Sequence, residues 1–154
     1  MKGKTWVVGL VVFVCSVFVV NSAESQGIFE KLTENLKKET IEANENGART
    51  RVKTIVLLCE MYKSDNGHYP NDEGDLLNAK PPYSQQAYNN KEIHGYNYSI
   101  EFRLDRYKII ATPVECGKTG NKIFIAENIL TEDIIKSISL EEIAEKAITE
   151  IKCE

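Results

Sequence analysis

From Ile28 to Lys63 the chain contains no proline and one glycine, Gly47. Nothing in that stretch removes a run of backbone donors or forces the chain to turn. Apolar residues recur at Phe29, Leu32, Leu36 and Ala43, and again at Ala48, Val52, Ile55, Cys59 and Tyr62. Intervals of three and four residues place them along one face of a long amphipathic helix. The first half of that helix is heavily charged, with Glu30, Lys31, Glu34, Lys37, Lys38, Glu39, Glu42 and Glu45. It is expected to project into solvent. The stretch Ile55-Val56-Leu57-Leu58-Cys59 is apolar on more than one side and belongs in a core. Asp65-Asn66-Gly67 ends the helix, with Gly67 suited to the left-handed closing position.

Pro70, Pro81 and Pro82, three of the four prolines, fall between residues 70 and 94. This segment reads as a loop with one helical turn near Asp75–Asn78. Tyr96, Tyr98, Ile100, Phe102 and Leu104 then alternate with Asn97, Ser99, Glu101 and Arg103, the pattern of a half-buried strand. Asp105-Arg106 reads as a turn and Tyr107–Thr112 as a second strand, ended by Pro113. Glu115–Asn121 is a loop and Lys122–Glu127 a third strand. Short connections between successive strands imply an antiparallel meander. Asp133–Ser137 reads as one helical turn. Ser139 and Glu142 have capping-box spacing, and Ile143, Ala147 and Ile151 form a stripe that predicts a helix from Leu140 to Lys152. The expected class is α+β: a long N-terminal helix on a three-stranded antiparallel meander, plus a short C-terminal helix.

The N-terminus has its own signature. Lys2 and Lys4 precede a fifteen-residue uncharged apolar run, Trp6–Val20, followed by Asn21-Ser22-Ala23. That layout predicts a secretory signal peptide of residues 1–23, cleaved after Ala23 or after Ser22, and an exported, periplasmic or extracellular chain of residues 24–154. In that mature domain, 24–47 is the polar helix half and 140–152 the added helix. The run is shorter than the roughly 20 residues of a spanning helix; retention as a short anchor is the alternative. With 19 basic and 23 acidic residues and a net charge of −4, nothing favours nucleic acid as a partner. Charged residues at 27% and apolar ones at 42% are ordinary globular values.

Export permits disulfides. Cys15 leaves with the signal, so Cys59, Cys116 and Cys153 remain. Cys59 lies on the core face of the long helix, whereas Cys116 sits in a glycine-containing loop and Cys153 near the end of the chain. The preferred pair is Cys116 with Cys153; Cys59 with Cys116 is the rival. No metal site is expected, because close Cys/His spacing is missing. His68 and His94 lie in turns, and neither makes a convincing base for Cys59, which is a poor nucleophile on a core-facing position. Gly117-Lys118-Thr119-Gly120 lacks P-loop spacing and reads as a hairpin loop. Glu132 and Asp133 lack the further ligands of a calcium loop. No catalytic residue and no cofactor is assigned. Tyr69, Tyr83 and Tyr88, in loop-like sequence, are the candidate binding surface; rings covering the sheet edge are the competing reading.

Several segments, taken in order, resemble a known family. Val52-Lys53-Thr54-Ile55 running on to Met61-Tyr62-Lys63 resembles the second half of the pilin helix. Asn66-Gly67-His68-Tyr69-Pro70 is similar to the G-x-Y-P turn that follows it. Gly95-Tyr96-Asn97-Tyr98 resembles the lead-in to the first pilin strand, and Tyr107–Val114 the Y-x-I-x-A-x-P strand. Gly117–Phe124 is similar to the G-x-T-G-x-R-x-F hairpin before the last strand. Together, over residues 40–130, they resemble the globular domain of type IV pilins and of the major pseudopilins of type II secretion. The resemblance implies a non-enzymatic structural or accessory role, with protein partners of a secretion or pilus assembly. It implies no small-molecule substrate, and a membrane only if the N-terminal segment is retained. The chain differs from the family in three respects. It lacks the prepilin leader, it has no recognisable acid-rich calcium loop at Glu127-Asn128-Ile129, and it carries the added helix from Leu140.

Overall fold

Helix α1 runs without interruption over Lys4–Asn66. The computed structural model describes residues 4–128 and 139–153, with side chains from Gln26 onward. The chain divides into two units, Met1–Glu39 and Thr40–Glu154. In the first, every described side chain from Gln26 to Glu39 is exposed, as its charge density demands.

In the second unit, burial along α1 begins at Ile41, earlier than the expected limit near residue 47. Ala48, Val52, Ile55, Val56 and Cys59 are then fully enclosed. They pack on a five-stranded antiparallel sheet, ordered β1 (Lys91–Ile93), β2 (Tyr96–Arg103), β3 (Arg106–Pro113), β4 (Lys122–Glu127) and β5 (Ile148–Lys152). The inner face follows from alternation: Tyr96, Tyr98 and Ile100 of β2, Tyr107, Ile109 and Ala111 of β3, and Phe124 and Ala126 of β4 are all buried. Gly120 is needed for this packing, since any side chain there would run into the Tyr96 ring, whose hydroxyl donates to Lys122 O at 2.9 Å.

The expected class, α+β with a long helix, an antiparallel sheet and a short helix, holds. The expected three-stranded meander is corrected to five strands. β1 forms inside the segment read as a loop, paired to β2 with Lys91 opposite Tyr98 and Ile93 opposite Tyr96. The C-terminal helix is also shorter than expected. Short helix α2 (Glu73–Leu77) precedes β1 and short helix α3 (Leu140–Lys146) lies between β4 and β5 in sequence; α3 stops six residues before the predicted end at Lys152. Its capping box is present: Ser139 Oγ accepts from Glu142 N, and the Glu142 carboxylate accepts from Ser139 N. Beyond Ala147 the chain becomes β5, with Ile148 opposite Ala126 and Ile151 opposite Ile123. β4 otherwise presents an unpaired edge, and five ladder positions outweigh one and a half turns of exposed helix. The predicted turn at Asp133–Ser137 and the acids Glu132 and Asp133 lie outside the described residues.

Cys116 and Cys153 lie at disulfide distance, 2.14 Å between sulfurs, and Cys59 is a buried free thiol. Cys153 N also donates to Asn121 O at 2.8 Å, which ties the end of β5 to the loop before β4. Ion pairs join β5 and α3 to α1: Arg49 contacts Glu145 and Glu150, and Lys122 bridges Glu150 at 2.9 Å and Glu45 at 3.9 Å. These groups are partly exposed, so each pair contributes at most about 1 kcal/mol.

Candidate functional site

The end of α1 builds the most sculpted surface of the second unit. Gly67 takes φ +79°, where a side chain would be strained, and its N–H closes the helix on Lys63 O at 2.8 Å. The chain reverses there, and Tyr69 N donates to Leu104 O at the β2–β3 turn, 3.1 Å away. Asp72 then caps α2 by accepting from Asp75 N. Glu73 reaches across the following loop, its Oε1 accepting from Tyr88 N and Asn89 N. The Leu76 carbonyl accepts from Tyr83 N and Ser84 N. The proline-rich loop is therefore fixed by its backbone amides, at Tyr83 and Ser84 to the Leu76 carbonyl and at Tyr88 and Asn89 to the Glu73 carboxylate.

Between this loop and the last turn of α1 lies an open concavity of about 990 Å³. Tyr62, Tyr83, Asp65, Asp72, Asp75 and Lys80 are among its walls. Tyr83 meets Tyr62 edge to face at 5.4 Å, and Tyr62 meets His68 at 5.8 Å. Tyr83 donates its hydroxyl proton to Asp65 Oδ2 at 2.7 Å, and that bond, with some burial, raises its pKa above the usual phenol value. Tyr62 moves the same way, through desolvation and the nearby Asp75 and Asp72 carboxylates. Rings beside carboxylates suit a cationic group. All three acids also have local partners: Asp75 accepts from Asn71 N at 2.8 Å, Asp72 caps α2, and Asp65 holds Tyr83. The surface is equipped to bind and orient; the groups on it are not paired as nucleophile and base.

Of the three tyrosines expected at a binding surface, the structure brings only Tyr83 to this concavity. Tyr69 is 0% exposed and Tyr88 8%, so both belong to the core. Tyr69 belongs instead to a buried polar cluster. Tyr69 and Tyr107 both donate to Glu60 Oε1, at 3.0 and 3.2 Å, and their rings meet edge to face at 5.2 Å. Glu60 is 4% exposed. Burial first, and the Glu60 charge second, push both phenols well above their ordinary pKa. Cys59 is raised by the same two causes and stays a thiol, unsuited to nucleophilic attack.

His68 Nδ1 donates to Tyr69 O, 2.7 Å away, and His94 occupies a turn at φ +50°. In the Gly117–Gly120 loop the amides of Gly117, Lys118 and Thr119 are spent on Gly120 O and Glu115 O, which leaves none of them to cradle a phosphate. Among the described residues, no group of three His, Cys, Asp or Glu side chains could hold a metal ion, and no helix is long and apolar enough to cross a membrane. Tyr62, Asp65, Asp72 and Asp75 escaped the sequence reading. The legible signal was the clustering of aspartates on both sides of the Gly67 turn. No protein-family model, no curated protein and no solved structure matches this chain.

Proposed function

We propose that the chain is an exported, non-enzymatic, pilin-like or pseudopilin-like protein with a structural or accessory role in a type IV pilus or a type II secretion-type system. One observation carries this reading. A single long helix leads the chain, and its second half packs through Ala48, Val52, Ile55 and Cys59 on an antiparallel sheet of sequential strands. The lysine start and the apolar run Trp6–Val20 support export by ordinary signal peptidase. The charged stretch around Lys37 and Glu39 argues against lone polymerisation, since moving such charges out of water into a filament core costs several kcal/mol each, on the order of magnitude.

Intact-mass and N-terminal analysis of protein recovered from the cell envelope tests export. A start at Ala23 or Glu24 is the expected result; a mass retaining Met1 to Val20 would instead indicate an anchored subunit. Electron microscopy at high concentration tests assembly, and helical filaments of the purified protein would overturn the accessory role. A second reading, a soluble ligand-binding or adhesive module, is favoured by the Tyr62–Tyr83 concavity. Loss of binding to an envelope target in Tyr83→Ala, with unchanged folding, would move the reading to that alternative.

A further inference from the structure

The β2–β3 hairpin contains a charge arrangement that folding alone does not favour. Its turn is the two residues Leu104 and Asp105, so Arg103 and Arg106 stand directly opposite each other. Like charges at opposed positions destabilise a sheet. The other charged pair of the hairpin obeys the rule, with Glu101 opposite Lys108. Lys108 is further matched by Glu127 at 3.0 Å. Neither arginine has an ion pair or side-chain hydrogen bond among the described residues, although the chain as a whole is acidic.

The two arginines border a half-open cavity of about 310 Å³, with Glu101, Lys108, Glu127 and Asn128 also on its wall. Glu127 is paired with Lys108, and Glu101 alone stands against two arginines on the rest of the wall, so the cavity lining keeps a net positive charge. The hairpin tip is held at two points. Leu104 O accepts from Tyr69 N at 3.1 Å, and Asp105 O accepts from Asn128 Nδ2 at 3.4 Å. The guanidinium groups are thus carried on an anchored turn.

We propose that Arg103 and Arg106 form a seat for a phosphate group. A guanidinium presents a planar fork of donors that matches oxyanion geometry. One carboxylate is satisfied by one fork; two opposed forks suit a tetrahedral dianion, which also cancels their mutual repulsion. At about 30 Å³ per water, the cavity has room for roughly ten waters, enough for a phosphate and a small group that carries it. The seat is independent of the pilin-like reading and of the Tyr62–Tyr83 concavity.

The test is titration of the full chain with inorganic phosphate, glycerol phosphate, acetate and chloride at matched ionic strength, followed by calorimetry and by NMR of the arginine side chains. Saturable binding of phosphate, weakened about tenfold or more in R103Q and in R106Q, is expected from the loss of charge-assisted hydrogen bonds. Tighter binding of glycerol phosphate than of inorganic phosphate identifies an ester as the ligand; equal binding identifies the free ion. Because both arginines are exposed, the variants should fold with unchanged circular dichroism and, in chloride, with equal or slightly higher melting temperature. K108Q, which removes the cation opposite Glu101 and paired with Glu127 but leaves both arginines, should weaken binding less than either arginine variant. An equal response to chloride, no saturation with either phosphate, or unchanged affinity in the R103Q/R106Q double variant would overturn the proposal.

Discussion

Phe29, Leu32 and Leu36 recur along α1 at the same intervals as Val52, Ile55 and Cys59, yet the first three are 71%, 54% and 55% exposed and the second three 0%. Spacing defines a face; what stands opposite decides whether the face is buried. Val52, Ile55 and Cys59 meet an inner sheet face of Tyr96, Tyr98, Tyr107, Ile109 and Phe124. Around Phe29 the sequence supplies charges at Glu30, Lys31 and Glu34, and those residues are exposed with it. The contrast also extends to polar groups. The buried half of the helix carries Glu60 inside the core, where Tyr107 of β3 and Tyr69 of the turn after α1 meet it with their hydroxyls.

The largest way to separate the two halves is alkaline pH. Burial pushes Tyr96 up to about 12, and holds Tyr69, Tyr107 and Cys59 above their ordinary values, mainly by desolvation with Glu60 adding to the last three. Each group keeps its proton in the folded chain after the unfolded chain has lost it. Their contribution is intact below the unfolded values, near 9.0 for the thiol and 10.0 for the phenols, and is lost as pH rises through the folded ones. Stability should therefore fall steeply above pH 9–10, with tyrosinate absorbance rising together with loss of helix. Titration of Tyr69, Tyr96 or Tyr107 without unfolding would contradict the burial of this half. The exposed half, which has no tyrosine or cysteine between Gln26 and Glu39, contributes nothing to the effect.

Opening the disulfide comes next. The bridge closes a sequence separation of 37 and holds β5, whose Glu150 faces Arg49 of α1. In the chain-entropy description a loop of that size contributes about 4 kcal/mol, so the double variant Cys116→Ser/Cys153→Ser should lose roughly that much in urea unfolding. Ile55→Ala removes a side chain that is 0% exposed and should cost about 3 kcal/mol, with a lower denaturant midpoint at unchanged slope.

Two tyrosines on one sheet face give a finer test. Tyr107→Phe removes a donor from buried Glu60 and should cost about 1–2 kcal/mol. Among the described residues the Tyr98 hydroxyl is buried without a well-formed hydrogen bond, with the Arg51 side chain beside it, so Tyr98→Phe should be close to neutral in the same urea titration. The smallest effect belongs to the exposed half: Phe29→Ala should change unfolding stability by no more than about 0.5 kcal/mol. A loss near that of Ile55→Ala would mean that the face around Phe29 is covered in solution.

Much of the fold was legible because the deciding interactions are local. β4 was expected at Lys122–Glu127 and lies there; β2, expected to Leu104, ends at Arg103; and α1 ends at Asn66 before Gly67, all set by side-chain period and by one left-handed glycine. β1 was missed because Lys91-Glu92-Ile93 is too short to show a period and depends on the edge of β2. The placement of the turn at Leu104-Asp105 instead of Asp105-Arg106 hid the opposition of Arg103 and Arg106, since a shift of one residue changes every cross-strand partner.

Ile148–Lys152 shows where sequence stops deciding. Ile143, Ala147 and Ile151 satisfy a helix, and Ile148-Thr149-Glu150-Ile151 satisfies a strand edge equally well; the open side of β4 resolved the tie. The same limit applies to the candidate site. The aspartates around Gly67 and the loop prolines mark a turn-rich surface, but whether Tyr69, Tyr83 or Tyr88 faces outward is set by what each ring meets. Tyr69 meets Glu60 and Tyr107, Tyr88 joins the core, and Tyr83 is left with Asp65 at the rim. Periods, turns and caps act over a few residues and are written in the sequence alone. Which face is covered, which edge is paired and which hydroxyl finds its acceptor depend on segments tens of residues apart, and those the tertiary structure decided.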